Sequence, residues 1–323
     1  MGAAGVILVL FSYSLAEGFY SMLLVRVLHG CAHVIMATAL MAIIVGYIPR
    51  EKSGQAFGLL SITTLLPYAL VPPVLTPLTN LLGGYTRVLA LFGLMMVFMI
   101  PITLMAGPQK YSQGKTGSAD KLSTREVFEN LKNIRVFLIL LAMLLTFSGY
   151  AMVFFTIAGF GRTIGILDAG LFFTFSTISE IGVRVAVGSW FDKTNKAHLA
   201  GWSLLGLGLG YAVLAHASGP VAFFALGGVL GLGWGVAFPV LNALMFDISP
   251  VRFRALNTNL GFQMFQGGFF LGPFLGGLIL DSQNFQTLFY ACAALSLAAA
   301  GSTLYLTKEG SYQGVSNVTA EKP

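Results

Sequence analysis

The chain has 323 residues, of which 56% are hydrophobic and 9% charged, with a mean hydropathy of +0.82 and a formal charge of +6. That balance excludes a soluble globular protein, which needs a charged surface this sequence does not possess. The basic excess does not call for a nucleic-acid partner, whose basic patches come with a soluble domain.

Ten apolar stretches are predicted as membrane helices by their length and their breakers. In chain order they are Gly2–Ala16, Met22–Tyr47, Phe57–Leu81, Val88–Ala106, Val136–Ile157, Leu167–Val187, Leu199–His216, Val221–Asp247, Leu256–Leu280 and Phe285–Leu306. Continuous apolar runs fit helices, whereas barrel strands would alternate polar and apolar residues. The beginning of the chain lacks a basic n-region, so no cleaved signal is expected. The third stretch carries Pro67, Pro72, Pro73 and Pro77, each without an amide donor, and is expected to bend or break. A basic, polar loop from Lys110 to Arg135 divides the stretches four and six. The expected organisation is a partial bundle over 1–107, a central loop over 108–135, a six-helix bundle over 136–307 and a tail over 308–323.

Loop charge gives the orientation. Fourteen of the eighteen basic residues fall in alternate loops or the tail: Arg50, Lys52, Lys110, Lys115, Lys121, Arg125, Lys132, Arg135, Lys193, Lys196, Arg252, Arg254, Lys308 and Lys322. The opposite side holds Arg87 and Arg162, while Arg26 and Arg184 lie within spans. Both termini and the central loop are therefore expected in the cytoplasm, with the protein multi-pass in the plasma (inner) membrane. Cys31 and Cys292 lie in apolar spans far apart in sequence, with neither metal-ligand spacing nor a reason to pair.

The sequence repeats itself at an offset of about 200 residues. Pro72-Pro73-Val74-Leu75-Thr76-Pro77 aligns with Gly272-Pro273-Phe274-Leu275-Gly276-Gly277, and Ile48-Pro49-Arg50-Glu51-Lys52 with Ile248-Ser249-Pro250-Val251-Arg252. Tandem membrane repeats joined by a basic loop are a pattern of secondary transporters with a site between the halves.

Three local motifs accompany the repeat. They are Arg26-x-x-x-Gly30, then Gly188-Ser189-Trp190-Phe191-Asp192-Lys193 in the form Gly-x-x-x-Asp-(Arg/Lys), and Gly272-Pro273-x-x-Gly276-Gly277. On these the chain resembles the major facilitator superfamily (MFS), transporters of twelve helices in two six-helix bundles. The resemblance implies an all-α polytopic membrane fold of MFS type. It places the chain's start opposite about Gly201, so ten helices divided four and six read as twelve without the first two. The glycine-proline motif lies on the equivalent of the eleventh helix rather than the fifth, so it does not imply antiport.

Candidate functional residues follow. Arg26, His29 and His33 share a helix face at i, i+3 and i+7. A charge in hydrocarbon is costly and usually faces a water-filled cavity, where this stripe would bind an anionic group. The other reading has Arg26 snorkelling to the interface. Trp234, Phe238 and Asn242 share one face of the eighth stretch, and Phe147, Tyr150 and Phe154 one face of the fifth. By resemblance those two helices line the substrate cavity; by themselves the aromatics fit helix packing equally. Asn259, Gln263 and Gln266 form a polar stripe suited to interhelical bonding. Glu180 and Arg184, at i,i+4, can neutralise one another. By resemblance Glu180, Arg184, Gly188, Asp192, Lys193, Gly272 and Pro273 belong to the gating apparatus. Physically, Asp192 could cap the helix starting near Ser53-Gly54.

The expected function is a secondary active transporter that moves a small organic solute by alternating access, proton- or ion-coupled, with export slightly favoured. A monomer without cofactor is expected, and the absence of a Walker-type loop argues against ATP hydrolysis. The alternatives are a non-transporting membrane binding or sensor protein of the same fold, or a truncated inactive fragment. An intramembrane enzyme would need clustered acids or a nucleophile with a base, whereas Glu17, Asp168 and Asp281 stand singly at helix ends.

Overall fold

The structure is a computed structural model, and it describes residues 2–101, 122–282 and 284–308. Among them eleven α-helices follow one another: α1 (Gly2–Ser12), α2 (Phe19–Tyr47), α3 (Ser53–Leu82), α4 (Tyr85–Met96), α5 (Thr124–Leu131), α6 (Ile134–Thr163), α7 (Leu171–Val187), α8 (Lys196–Leu214), α9 (Pro220–Ile248), α10 (Arg254–Ser282) and α11 (Phe285–Lys308). Short 3-10 turns at Tyr13–Leu15, Arg50–Lys52 and Gly188–Asp192 join some of them.

All ten apolar stretches contain helix. Among the described residues seven helices are long and apolar enough to cross a membrane, α2 and α6 to α11. The regions Gly2–Leu15 and Tyr85–Pro101 are shorter apolar helices, and α3 is thirty residues long. Of the expected bend or break, the break does not occur: α3 runs as one helix through its four prolines. The expected fourth stretch is described as far as Pro101, so its end and residues 108–121 of the central loop lie outside the described residues, as does the tail beyond Lys308.

The rest of the central loop contains a short helix. Residues 124–131 form α5, started by a capping box in which the Ser123 hydroxyl accepts from the Glu126 amide and the Glu126 carboxylate accepts from the Ser123 amide. This reciprocal arrangement satisfies two orphan donors of a helix start. The helices of the second half are delimited in the same way. The Asn133 side chain caps α6 and the Asn195 side chain caps α8, while Pro220 occupies the first turn of α9, where its missing N–H costs nothing.

The chain divides into two compact units, Met1–Tyr47 with Leu66–Lys121, and Ile48–Leu65 with Leu122–Pro323. In the first, α1 packs on α2 and α4, with Val6 and Leu10 against Ala32, and Val9 and Tyr13 against Val25. In the second, α6 packs against α10 and α11, α9 against α7 and α8, and α8 against α11. Glycines set the approach of these pairs. A Cβ at Gly231 would lie 2.7 Å from the Ser176 Cα, and one at Gly272 would lie 2.7 Å from the Ala151 Cβ. Without side chains there, α7 meets α9 and α6 meets α10 backbone to backbone.

Candidate functional site

Three groups of polar and aromatic residues stand out. The first runs along the second half of α7. Glu180 and Arg184 are 1% and 4% exposed. Arg184 Nη2 donates to Glu180 Oε2 at 3.1 Å, and Ser176 Oγ donates to Glu180 Oε1 at 3.1 Å. Arg184 also reaches across to α9, with Nε donating to the Gly235 carbonyl at 3.1 Å and Nη2 to the Trp234 carbonyl at 3.4 Å. Gly235 permits this crossing, since a Cβ there would lie 3.0 Å from the Glu180 Cα. A buried ion pair is tolerable when each charge also has hydrogen-bond partners; Glu180 and the Nε and Nη2 of Arg184 have them.

Beside the pair stands an aromatic cluster. Trp234 is fully buried and donates its indole N–H to the Tyr211 hydroxyl at 2.8 Å. The Tyr150 ring meets Trp234 edge-on at 4.7 Å and Phe238 at 5.3 Å. Phe154 stacks on Tyr150 at 6.1 Å, and Phe147 lies 4.6 Å from Phe238. Phe265 and Phe269 of α10 complete the group, 4.9 Å from Phe147 and 5.8 Å from Tyr150. Trp234, Phe238, Tyr150 and Phe154, expected on separate helix faces, are thus brought together. Asn242 lies one turn on, but its side-chain amide donates to the Phe238 carbonyl of its own helix at 2.8 Å. Tyr211 and Ser176 were missed from sequence, because one aromatic or hydroxyl residue in an apolar helix carries no signal of its partner.

The third group surrounds the start of α3. Asp192 accepts from the Gly54 amide at 2.6 Å and the Gln55 amide at 3.0 Å. Two orphan donors of the first turn are thereby met by a carboxylate, which the helix dipole also favours. Lys196 lies between two acids, 3.4 Å from Asp192 and 2.9 Å from Asp247. Asp247 in turn accepts from the Ser53 hydroxyl at 2.7 Å, and its carbonyl accepts from Arg50 at 2.9 Å. Arg254 lies over the Phe246 ring at 4.5 Å. Lys196, Asp247 and Ser53 were missed. The i,i+4 spacing of Asp192 and Lys196 was a readable signal for one of these bonds.

The expected gating residues therefore separate. Asp192 sits at the α3 start, beside the buried Gly188, and Lys193 is exposed. Arg184 binds α9 instead, with Glu180 holding it from its own helix. Gly272 and Pro273 lie within α10, where Gly272 meets α6.

In the first unit Arg26 is exposed, with its guanidinium 5.4 Å from the centre of the Tyr13 ring. His29 Nδ1 lies 3.1 Å from the Tyr13 hydroxyl, and the half-buried His33 is one turn further on. Tyr13, on the 3-10 turn after α1, thus engages two residues of the predicted stripe.

Comparison with known proteins agrees with this architecture. The Major Facilitator Superfamily profile matches residues 1–258 and 163–322. The chain belongs to that superfamily. This MFS chain is 26% identical over 295 residues to the multi-drug resistance efflux pump PmrA of Streptococcus pneumoniae, covering 86% of this chain and 71% of that protein. It is 19% identical over 305 residues to the staphylopine export protein of Staphylococcus aureus, covering 89% and 73%. Among solved structures it resembles the MFS transporter FucP in the outward conformation, with TM-score 0.72 and 13% identity, covering 94% of this chain and 83% of that one. The chain is an integral, multi-pass secondary transporter of small solutes.

Proposed function

We propose that this MFS chain exports a small organic solute by alternating access, driven by a proton or ion gradient, from a plasma-type membrane with both termini in the cytoplasm. The observation that carries the reading is similarity along nearly the whole chain to two proteins described as an efflux pump and an export protein. The geometry supports it in two places. The aromatic cluster around Trp234 and Tyr150 offers broad apolar faces with few polar groups, the composition of a site for amphipathic solutes. The α3 start is held by Asp192 and by the Lys196 bridge, contacts that can break and reform as a unit. In this reading, loss of the Asp192 cap frees the first turn of α3 and opens the cytoplasmic side.

Proteoliposome flux tests the reading. Purified protein, reconstituted with an imposed pH gradient, is expected to move the neutral dye Nile red saturably, and collapsing the gradient is expected to abolish the movement. Saturable binding of the dye without flux under any gradient supports the sensor alternative and sinks the transporter reading.

A further inference from the structure

Arg184 has five N–H donors in a fixed fork. Nε and Nη2 are engaged with Gly235, Trp234 and Glu180, yet Nη1 is fully buried and has no hydrogen-bond partner among the described residues. A charged donor left unpaired in a buried place is costly, and such a group in a native protein calls for an explanation. Here it belongs to the ion pair that Glu180 forms with Arg184 in the last turn of α7. The guanidinium rests on the backbone of Trp234, whose ring meets Tyr150 at 4.7 Å, and Tyr150 lies within electrostatic reach of Arg184.

We infer that Arg184 Nη1 is the hydrogen-bond anchor for the transported solute, and that it takes an uncharged acceptor oxygen, a carbonyl or ether, on a planar apolar body. The inference rests on the transporter reading above and names its substrate class. Charge decides the class. Glu180 already neutralises Arg184 at 3.1 Å, so the site is net neutral before any solute arrives. An anion would add an uncompensated charge among apolar groups, at high cost. A purely apolar solute would leave Nη1 as it is. A neutral oxygen satisfies the donor without adding charge, and the flat rings of Trp234, Tyr150 and Phe238 suit a planar apolar body.

Matched probes test this. Fluorenone, fluorene and fluorene-9-carboxylate share one ring system and differ at a single carbon, which bears a carbonyl, two hydrogens or a carboxylate. Their binding to the purified full chain in nanodiscs is measured by equilibrium dialysis, with empty nanodiscs subtracted. Fluorenone is expected to bind at least about tenfold more tightly than fluorene, the factor for one hydrogen bond to a charged donor. The carboxylate is expected to bind more weakly than fluorenone. In E180Q/R184Q the preference for fluorenone falls to within about twofold of fluorene. R184K, which keeps the charge but replaces the fork by a compact ammonium facing Glu180, is expected to lose the preference too. Equal binding of fluorenone and fluorene to the native protein overturns the anchor, and needs no variant to fold. Tightest binding by the carboxylate overturns it as well, as does a preference that survives both variants. Fluorenone flux in proteoliposomes separates the two claims. Preferential binding without flux leaves the anchor standing and removes the transport reading, whereas flux of both probes without preference removes the anchor alone.

Discussion

Arg184 and Glu180 depend on each other more than on anything else. Replacing Arg184 by Leu strands a carboxylate that is 1% exposed, with the Ser176 hydroxyl as its remaining partner among the bonds described. Breaking a buried pair on one side costs about 3–5 kcal/mol, whereas replacing both members by apolar residues is often near neutral. R184L is therefore expected to unfold at markedly lower SDS fraction in mixed micelles, and E180L/R184L to regain most of the loss. A single variant as stable as the native chain would mean that the pair is not buried as described. Tyr211 gives a second, smaller case. Its hydroxyl accepts the buried Trp234 N–H, so Tyr211→Phe leaves that donor unpaired at a cost of about 1–3 kcal/mol, readable in the same titration. The two cases differ in what the sequence could reveal. The i,i+4 spacing of Glu180 and Arg184 sets both on one helix face, and an ionisable pair in an apolar helix signals mutual neutralisation. The bond from Trp234 to Tyr211 joins separate helices, α9 and α8, and only their packing determines it.

Among the elements, the α3 start shows how a local motif and a distant contact combine. The run Gly188 to Lys193 marked Asp192 in the sequence as an acid suited to a helix N-terminus. The bridge from Lys196 to Asp247 could not be read, because it spans the whole of α8 and most of α9 and follows from how they pack. α5 was legible yet unread. Ser123-x-x-Glu126 is a capping-box pattern, but the surrounding polarity was read as loop. The prolines of α3 misled in the opposite direction, since a membrane helix can continue through proline when its freed carbonyls find other partners. Gly54 provides the test at this scale. A Cβ there would lie 2.8 Å from Asp192 Oδ1 and 2.9 Å from the Phe191 Cβ, both residues of one short 3-10 turn. Gly54→Ala is expected to displace the Asp192 cap, at a cost within the range of about 0.5–2 kcal/mol for losing an N-cap. With Cys31 and Cys292 replaced by Ser, a Cys at position 53 should then react faster with a membrane-impermeant maleimide in inside-out vesicles. Unchanged reactivity in G54A would show that the cap does not shield the α3 start.

At the scale of the molecule the question is which end faces the cytoplasm. The count of basic residues supplied one answer, and hydrogen bonds in the second unit supply an independent check on its alternation. Arg50 and Ser53, before and at the start of α3, bind Asp247 near the end of α9, while Gly54 binds Asp192 between α7 and α8. Asn130 of α5 joins Asn257 of α10, and Glu126 pairs with Arg252 between α9 and α10. These connections, which carry most of the described basic loop residues, therefore meet at one end of that unit. At the other end His216, after α8, lies 2.6 Å from Tyr290 in the early part of α11, and a Cβ on Gly159, late in α6, would lie 3.1 Å from Phe285. Within that unit the two sets of connections thus lie at opposite ends, the alternation that the charge count assumes. Two exposed positions convert this into a measurement. Val251, 79% exposed, lies at the basic end, and Leu167, 95% exposed, lies in the link between α6 and α7. In the cysteine-free background, a Cys at 251 is expected to react with impermeant maleimide only in inside-out vesicles, and a Cys at 167 only in intact cells. Labelling of both from the same side would contradict the alternation itself. The reverse assignment would keep the fold and invert the protein in the membrane, which would place the Asp192 cap outside and turn the proposed export into uptake.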